Sequence, residues 1–204
     1  MSVTAKPELG KMVSTRYYKN MPSEHALHLL ERLFALLRSE LRTAASEQGL
    51  EPVHAVTLWY LARANVFSNN PLAVGDFLGL SKGNVSQQLI LLEGKGLLTK
   101  TPDTADRRRL HLTLTSAGKA MLARLYPPKS WSSGESPDLE RVLDAALRGV
   151  IAANGGKSFG ICHTCRFHQR RVSGGFCQLL QIPLSAKQAG QICQEHQVTQ
   201  LDAS

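Results

Sequence analysis

The sequence predicts a mainly α fold with a small β wing. It reads as a winged helix-turn-helix between dimerising terminal helices, followed by a small Cys-rich C-terminal module. Three observations predict this. Between Pro71 and Leu122, two short helical patterns flank a Gly79-Leu80-Ser81 break, and two strand-like runs joined by an arginine-bearing turn come after them. Long apolar stripes lie on both sides of that stretch. All four cysteines fall between residues 162 and 193, with none before.

Residues 1–21 are polar and carry Lys6, Lys11, Arg16 and Lys19 against Glu8, which predicts a flexible arm. A winged-helix and dimerisation domain is expected over 22–154, and the cysteine module with its tail over 155–204. The first long helix runs from Ser23 to about Gln48, with Ala26, Leu30, Leu33, Leu37, Leu41 and Ala44 as its stripe. Leu27, Leu29, Phe34 and Leu36 widen that stripe, so the helix needs more than one packing neighbour, and a second subunit is the natural one. A core helix follows from Glu51 to about Ala64, then a loop over 66–70.

Leu72, Val74, Phe77 and Leu78 mark the apolar side of the next helix. In the one after it, Ser81 is the expected N-cap, and Val85, Leu89 and Leu92 repeat at helical spacing. Lys82, Asn84, Ser86, Gln87 and Gln88 are left on the other faces. Asn and Gln can pair with adenine edges in a major groove, and Lys with guanine or phosphate. Gly94-Lys95-Gly96 ends this helix, and Leu97-Leu98-Thr99-Lys100 reads as a strand. Leu110, Leu112 and Leu114 alternate with His111, Thr113 and Thr115 as a second, half-buried strand. The turn between the strands carries Asp106, Arg107, Arg108 and Arg109, which join Lys100 as candidate DNA contacts. Thr115 caps a helix to about Leu125, stopped by Tyr126-Pro127-Pro128. Ser136-Pro137-Asp138 starts the last long helix, ended by Asn154-Gly155-Gly156.

The run Asp106-x-Arg108-x-x-x-Leu112-x-Leu114-Thr115-x-x-Gly118 resembles the wing signature of the MarR family of bacterial transcriptional regulators. Leu92-Glu93-x-Lys95-Gly96-Leu97 is similar to that family's end of recognition helix. The resemblance covers roughly residues 22 to 153. It implies a homodimer with interlocked terminal helices, a double-stranded DNA operator, a repressor and no enzyme. It also implies that Arg108 enters the minor groove while Asp106 orients it. Where the family often shows arginine this chain has Gln87, so an adenine contact is expected there. The family often binds small aromatic effectors or anions beside the DNA-binding lobe, and Trp59, Tyr60, His54 and Arg63 could line such a crevice.

The net charge of +8 and pI of about 9.6 favour polyanionic partners, without separating DNA from RNA or an anionic membrane. No stretch approaches the roughly 18 apolar residues of a membrane span. The N-terminus lacks the apolar core of a signal peptide. The expected location is the cytoplasm, at the nucleoid, where cysteines serve metal or redox chemistry rather than structural disulfides.

Cys162-x2-Cys165 is followed by eleven residues to Cys177, fifteen more to Cys193, and His196 three further on. These predict a metal centre with Cys162, Cys165, Cys177 and Cys193 as ligands and His196 as an additional candidate. Zinc sites usually pair two short-spaced knuckles, whereas only one is present here. An iron–sulfur cluster, whose larger cage accepts ligands from separate loops, is therefore favoured over zinc. Arg166, Arg170 and Arg171 could offset its charge. Two alternatives stand beside this: a thiol-disulfide oxidoreductase using Cys162 as the low-pKa thiol and Cys165 to resolve, or a regulator sensing a small aromatic ligand with a purely structural zinc site.

Overall fold

The computed structural model describes residues 24–104, 106–131, 136–172 and 174–198; the predicted N-terminal arm lies outside them. The chain divides into two units. One, within its described residues, is the start of helix α1 (Glu24–Glu47) as far as Leu37; the other runs from Arg38 onward. In the first unit, Leu27, Leu29, Phe34 and Leu36 lie exposed in the single chain.

Local chemistry sets the element boundaries of the second unit. Helix α2 (Pro52–Arg63) opens with Pro52 in its first turn and a capping box between Glu51 and His54. Asn70 Oδ1 accepts from Ala73 N at 3.0 Å to cap α3 (Pro71–Leu78), and Gly79 ends it with φ 65°. Ser81 Oγ accepts from Asn84 N at 3.3 Å to start α4 (Lys82–Gly94). The two helices cross closely, since a Cβ on Gly75 would stand 3.2 Å from Val85 Cγ2.

Strands β1 (Leu98–Pro102) and β2 (Leu110–Leu114) pair antiparallel with Leu98 opposite Leu114. Thr115 then caps α5 (Ser116–Leu125), accepting from Gly118 N at 3.0 Å and donating to Gly96 O at 2.7 Å. A Cβ on Gly118 would run into Leu97 O, so the Thr-x-x-Gly spacing is required by the approach of α5 to the start of β1. Helix α6 (Pro137–Asn154) is capped by Ser136, and none of its residues is buried. Its Leu139, Val142, Leu143, Leu147 and Val150 are exposed in the single chain.

Leu58, Tyr60, Val74, Leu92, Leu98 and Leu112 are the innermost side chains of the core. One correction concerns α3: Leu72, placed on its apolar side from sequence, is 58% exposed, and Ala73 is buried in its stead. Ala73, whose amide donates to the Asn70 cap, lies with Val74 and Gly75 on the buried side of this short helix.

The cysteine segment has more structure than its spacing suggests. It holds a 3-10 turn (Cys162–Thr164), strands β3 (His168–Arg171), β4 (Gly174–Cys177) and β5 (Ile182–Leu184) in the order β3-β4-β5, and the short helix α7 (Ala186–Ala189). It is also not a separate appendage. Ile192 is buried in the winged-helix core, with Phe159 and Ile161 packed against that core. The expected boundary at 154–155 marks the end of a helix, not of a packing unit.

Candidate nucleic-acid interface and cysteine centre

Val85, Leu89 and Leu92 fasten α4 to the core, and Lys82, Asn84, Ser86 and Gln87 stand exposed on its opposite side. Gln88 is half-buried, with Oε1 covered and unpaired, so it belongs to the edge of this face. The wing turn is built by its own acids. Asp103 Oδ1 accepts from Asp106 N at 2.9 Å, and Asp106 Oδ1 accepts from Arg108 N at 3.1 Å. Asp103 N and Arg109 N donate to Arg109 O and Asp106 O at 2.9 and 2.8 Å. Asp106 therefore orients Arg108 through its backbone, while its carboxylate pairs with the Arg109 side chain at 3.7 Å. Arg107, Arg108 and Arg109 all project into solvent.

Lys100 is placed differently from expectation. Its ammonium meets Glu93 at 2.8 Å and its side chain is only 19% exposed. It ties the wing to the end of α4 and is not free for phosphate. The base of the wing carries a polar relay that sequence reasoning missed. His111 Nδ1 contacts Asn69 Oδ1 at 2.9 Å and His111 Nε2 contacts Asp103 Oδ2 at 2.7 Å. No periodicity flags it, because its partners come from separate segments.

Of the four residues proposed for an aromatic crevice, Tyr60 and His54 are buried, Trp59 is half-buried and Arg63 is exposed. Tyr60 is fully buried, donates its hydroxyl to Ser68 O at 2.9 Å and stacks on Phe77. His54 is buried and accepts from Glu51 N at 2.9 Å in the capping box. Trp59 lies between Phe77, Tyr126 and the Arg63 guanidinium, 4.6 Å from its ring. Tyr60 and His54 are thereby committed to packing.

All four cysteines are free thiols. Cys162 and Cys193 are buried, Cys165 and Cys177 half-buried. The antiparallel bridge between Ile161 and Ile192 sets the first pair side by side, with Cys162 N donating to Gln191 O and Cys193 N to Gly160 O, each at 3.0 Å. Cys177 lies opposite His168 at the end of the β3–β4 ladder. Backbone N–H groups turn toward sulfur: Leu180 N to Cys177 Sγ at 3.5 Å and Gln197 N to Cys165 Sγ at 3.4 Å. Such donors stabilise thiolate ligands. Burial pushes the Cys162 thiol up to about 12, and the neighbouring charges of Cys193, Cys177 and Cys165 push the same way. Among the described residues, however, no three His, Cys, Asp or Glu side chains are arranged to hold one metal ion.

Two expectations change here. A redox-active CxxC needs a depressed first thiol, whereas Cys162 is buried and raised, which opposes the oxidoreductase reading. His196 is buried with both ring nitrogens engaged, Nδ1 by Ser158 Oγ at 2.7 Å and Nε2 by Thr164 Oγ1 at 2.9 Å. It braces the segment and has no nitrogen left for a metal. Arg166 and Arg171 lie over the rings of Phe167 and Phe176 at 4.7 and 4.2 Å.

A polar-faced second helix followed by an arginine-tipped wing defines the class of winged helix-turn-helix proteins. Within that class, the fold is that of the MarR-type transcriptional regulators. The Staphylococcus aureus MepR–DNA complex superposes with a TM-score of 0.50 at 17% identity, covering 66% of this chain and 99% of that one. A MarR transcriptional regulator from Methanosarcina mazei Go1 does so with 0.50 at 19%, covering 65% and 97%. CouR from Rhodococcus jostii RHA1, bound to p-coumaroyl-CoA, gives 0.50 at 21%, covering 60% and 88%. In sequence, the chain is 28% identical over 147 residues to the "Putative transcriptional regulatory protein for hcr operon" of Thauera aromatica, spanning 72% of this chain and 83% of that one. No family model matches the chain. These relatives carry the names of transcriptional regulators, not of enzymes. No helix among the described residues is long and apolar enough to cross a membrane.

Proposed function

We propose that this chain is a sequence-specific DNA-binding repressor of the MarR type, acting as a homodimer in the cytoplasm, with a metal centre in its C-terminal segment. The observation that carries the DNA-binding reading is the pairing of two surfaces. The exposed Lys82–Gln87 face of α4 and the arginine turn pinned by Asp103 and Asp106 belong to one winged-helix lobe. The DNA-bound MepR shares the fold. The apolar residues of α1 and α6 left exposed in the single chain support a dimer. A two-fold partner would also set the spacing of about one DNA turn that half-sites require.

For the cysteine centre, an iron–sulfur cluster is favoured over zinc. Cys162, Cys165, Cys177 and Cys193 would be its ligands, supplying four thiolates from separate turns to a cage larger than a single ion. The centre would sense redox state, oxygen or metal supply. Gel-shift titration against genomic fragments, followed by footprinting, tests the first reading; absence of any fragment bound above random DNA at fixed salt would refute it. Anaerobic purification with iron, sulfide and zinc analysis tests the second.

A further inference from the structure

Besides the wing, the chain carries a second antiparallel hairpin that ends in arginines. Over residues 157–198 the basic side chains are Lys157, Arg166, Arg170, Arg171 and Lys187, against the single acid Glu195. Arg170 and Arg171 close β3, and the positions paired with them on β4, Gly175 and Gly174, carry no side chain. Both arginines are exposed, and Val172 beyond them is fully so. Other cations of the chain are neutralised: Lys100 by Glu93, Arg109 by Asp106, Lys157 by Asp76. Among the described residues, no carboxylate pairs with Arg166, Arg170 or Arg171. Arg107 and Arg108 at the wing tip share that condition.

Aromatic rings hold two of these guanidiniums. Arg166 lies over Phe167 at 4.7 Å and Arg171 over Phe176 at 4.2 Å. A ring takes the face of a guanidinium and leaves its N–H edge open, and that edge forks onto phosphate oxygens. The hydrogen bonds that reach the Cys165 and Cys177 sulfurs come instead from the backbone N–H groups of Gln197 and Leu180. The hairpin is also fixed to the winged-helix lobe rather than tethered to it. Ile192 N donates to Arg63 O at 2.8 Å, Asn65 N to Ile192 O at 2.9 Å, and Gln194 N to Ser68 Oγ at 2.8 Å. The wing strand β2 is fastened to the same 64–70 loop, where Leu112 N donates to Asn69 O at 2.7 Å.

We propose that the Arg170–Arg171 end of this hairpin, with Arg166, is a second DNA contact, made to backbone phosphates and not to bases. The inference rests on α4 and the wing being a DNA-binding surface, which brings a duplex to the lobe that carries the hairpin. Phosphates repeat along every duplex, so the contact adds affinity and salt dependence without sequence preference. Because the hairpin is mounted on the lobe, docking does not have to order a linker first.

The test uses three full-length proteins: wild type, Arg170→Ala/Arg171→Ala, and Arg170→Lys/Arg171→Lys. Fluorescence anisotropy gives their affinities over a salt series, on a fragment selected by gel shift and on random duplex of equal length. For the Ala pair, the slope of log affinity against log salt should become shallower by about one for each arginine that leaves a phosphate. Its preference for the fragment over random DNA should stay within about twofold of wild type, which also shows that α4 and the wing are intact. The Lys pair keeps the charge without the planar stack and should restore most of the slope. An Ala pair with the wild-type slope, or a Lys pair no better than the Ala pair, would overturn the proposal and leave the α4–wing interface standing. Vesicles of anionic phospholipid are run alongside. Loss of vesicle binding with the DNA slope unchanged would assign the hairpin to a membrane surface and overturn the proposal equally. Wild type that binds neither duplex would overturn the DNA-binding reading and the proposal with it.

Discussion

The wing and the cysteine segment are both small antiparallel sheets with arginine-bearing turns, but they are held in opposite ways. The wing turn is closed by side chains of its own few residues, Asp103 and Asp106, and its tip faces solvent. The cysteine segment depends on the lobe beneath it: Ile192 enters the winged-helix core, Gln191 Nε2 donates to Ala64 O at 3.2 Å, and Lys157 meets Asp76 at 2.8 Å. A self-closed turn can be altered at its tip without disturbing the fold. A segment sewn into another core cannot be altered without the lobe responding.

The sharpest way to break that contrast is Ile192→Ala. If the segment is part of the core, this change should lower the stability of the whole lobe by about 2–5 kcal/mol, read as a single shifted transition in chemical denaturation. A separate, earlier transition for the segment alone would show it to be an appendage after all. Arg108→Ala should do the reverse: roughly tenfold weaker operator binding by gel shift with an unchanged melting temperature, because a narrow minor groove concentrates the potential that attracts arginine. Affinity within about twofold of wild type would remove Arg108 from the interface.

Gln87→Ala sharpens the comparison within the winged-helix lobe. It should relax preference at one base pair per half-site by about 1–3 kcal/mol, whereas Lys82→Ala should weaken all sequences alike and flatten the salt slope. Equal losses for Gln87→Ala on operator and random DNA would assign it to the backbone.

The smallest expected effect is a pH dependence at the α2 cap. His54 Nδ1 accepts from Glu51 N, which requires an unprotonated nitrogen, and burial holds the imidazole below its ordinary value of 6.5. The folded value is the lower one, so its contribution is present above 6.5 and is lost as pH falls through the depressed folded value. Thermal melts between about pH 7 and 5 should therefore fall more steeply for wild type than for His54→Asn. Parallel curves would exclude the cap as a source of acid sensitivity.

Much of the fold was legible because its determinants are local. Asn70, Ser81, Thr115 and Ser136 cap the helices they precede, and the Leu110–Leu114 alternation fixes the buried face of β2. The wing is equally readable, since Asp106 and the arginines it organises are neighbours. What could not be read depends on partners far along the chain. Lys100 looks like a phosphate ligand until Glu93 is placed beside it. His196 looks like a fifth ligand until Ser158 and Thr164 take both nitrogens. Gln194 carries no motif at all, and only the return of residues 191–196 to the 64–70 loop gives its backbone and side-chain amides their partners, Ser68 Oγ and Phe67 O.

The packing of Phe159 edge-on against Tyr60 and Phe77, with Ile192 buried in the same core, also bears on how the protein is made. A ribosome delivers about 5–20 residues per second, N-terminus first, so α2, α3 and α4 emerge well before the residues that cover them. Until the last segment arrives, the aromatic floor formed by Tyr60 and Phe77 is open to water and to other nascent chains. The cysteine-bearing end is thus the closing step of the winged-helix lobe. A chain interrupted after α6 would leave that floor uncovered, an unfinished lobe rather than a complete one.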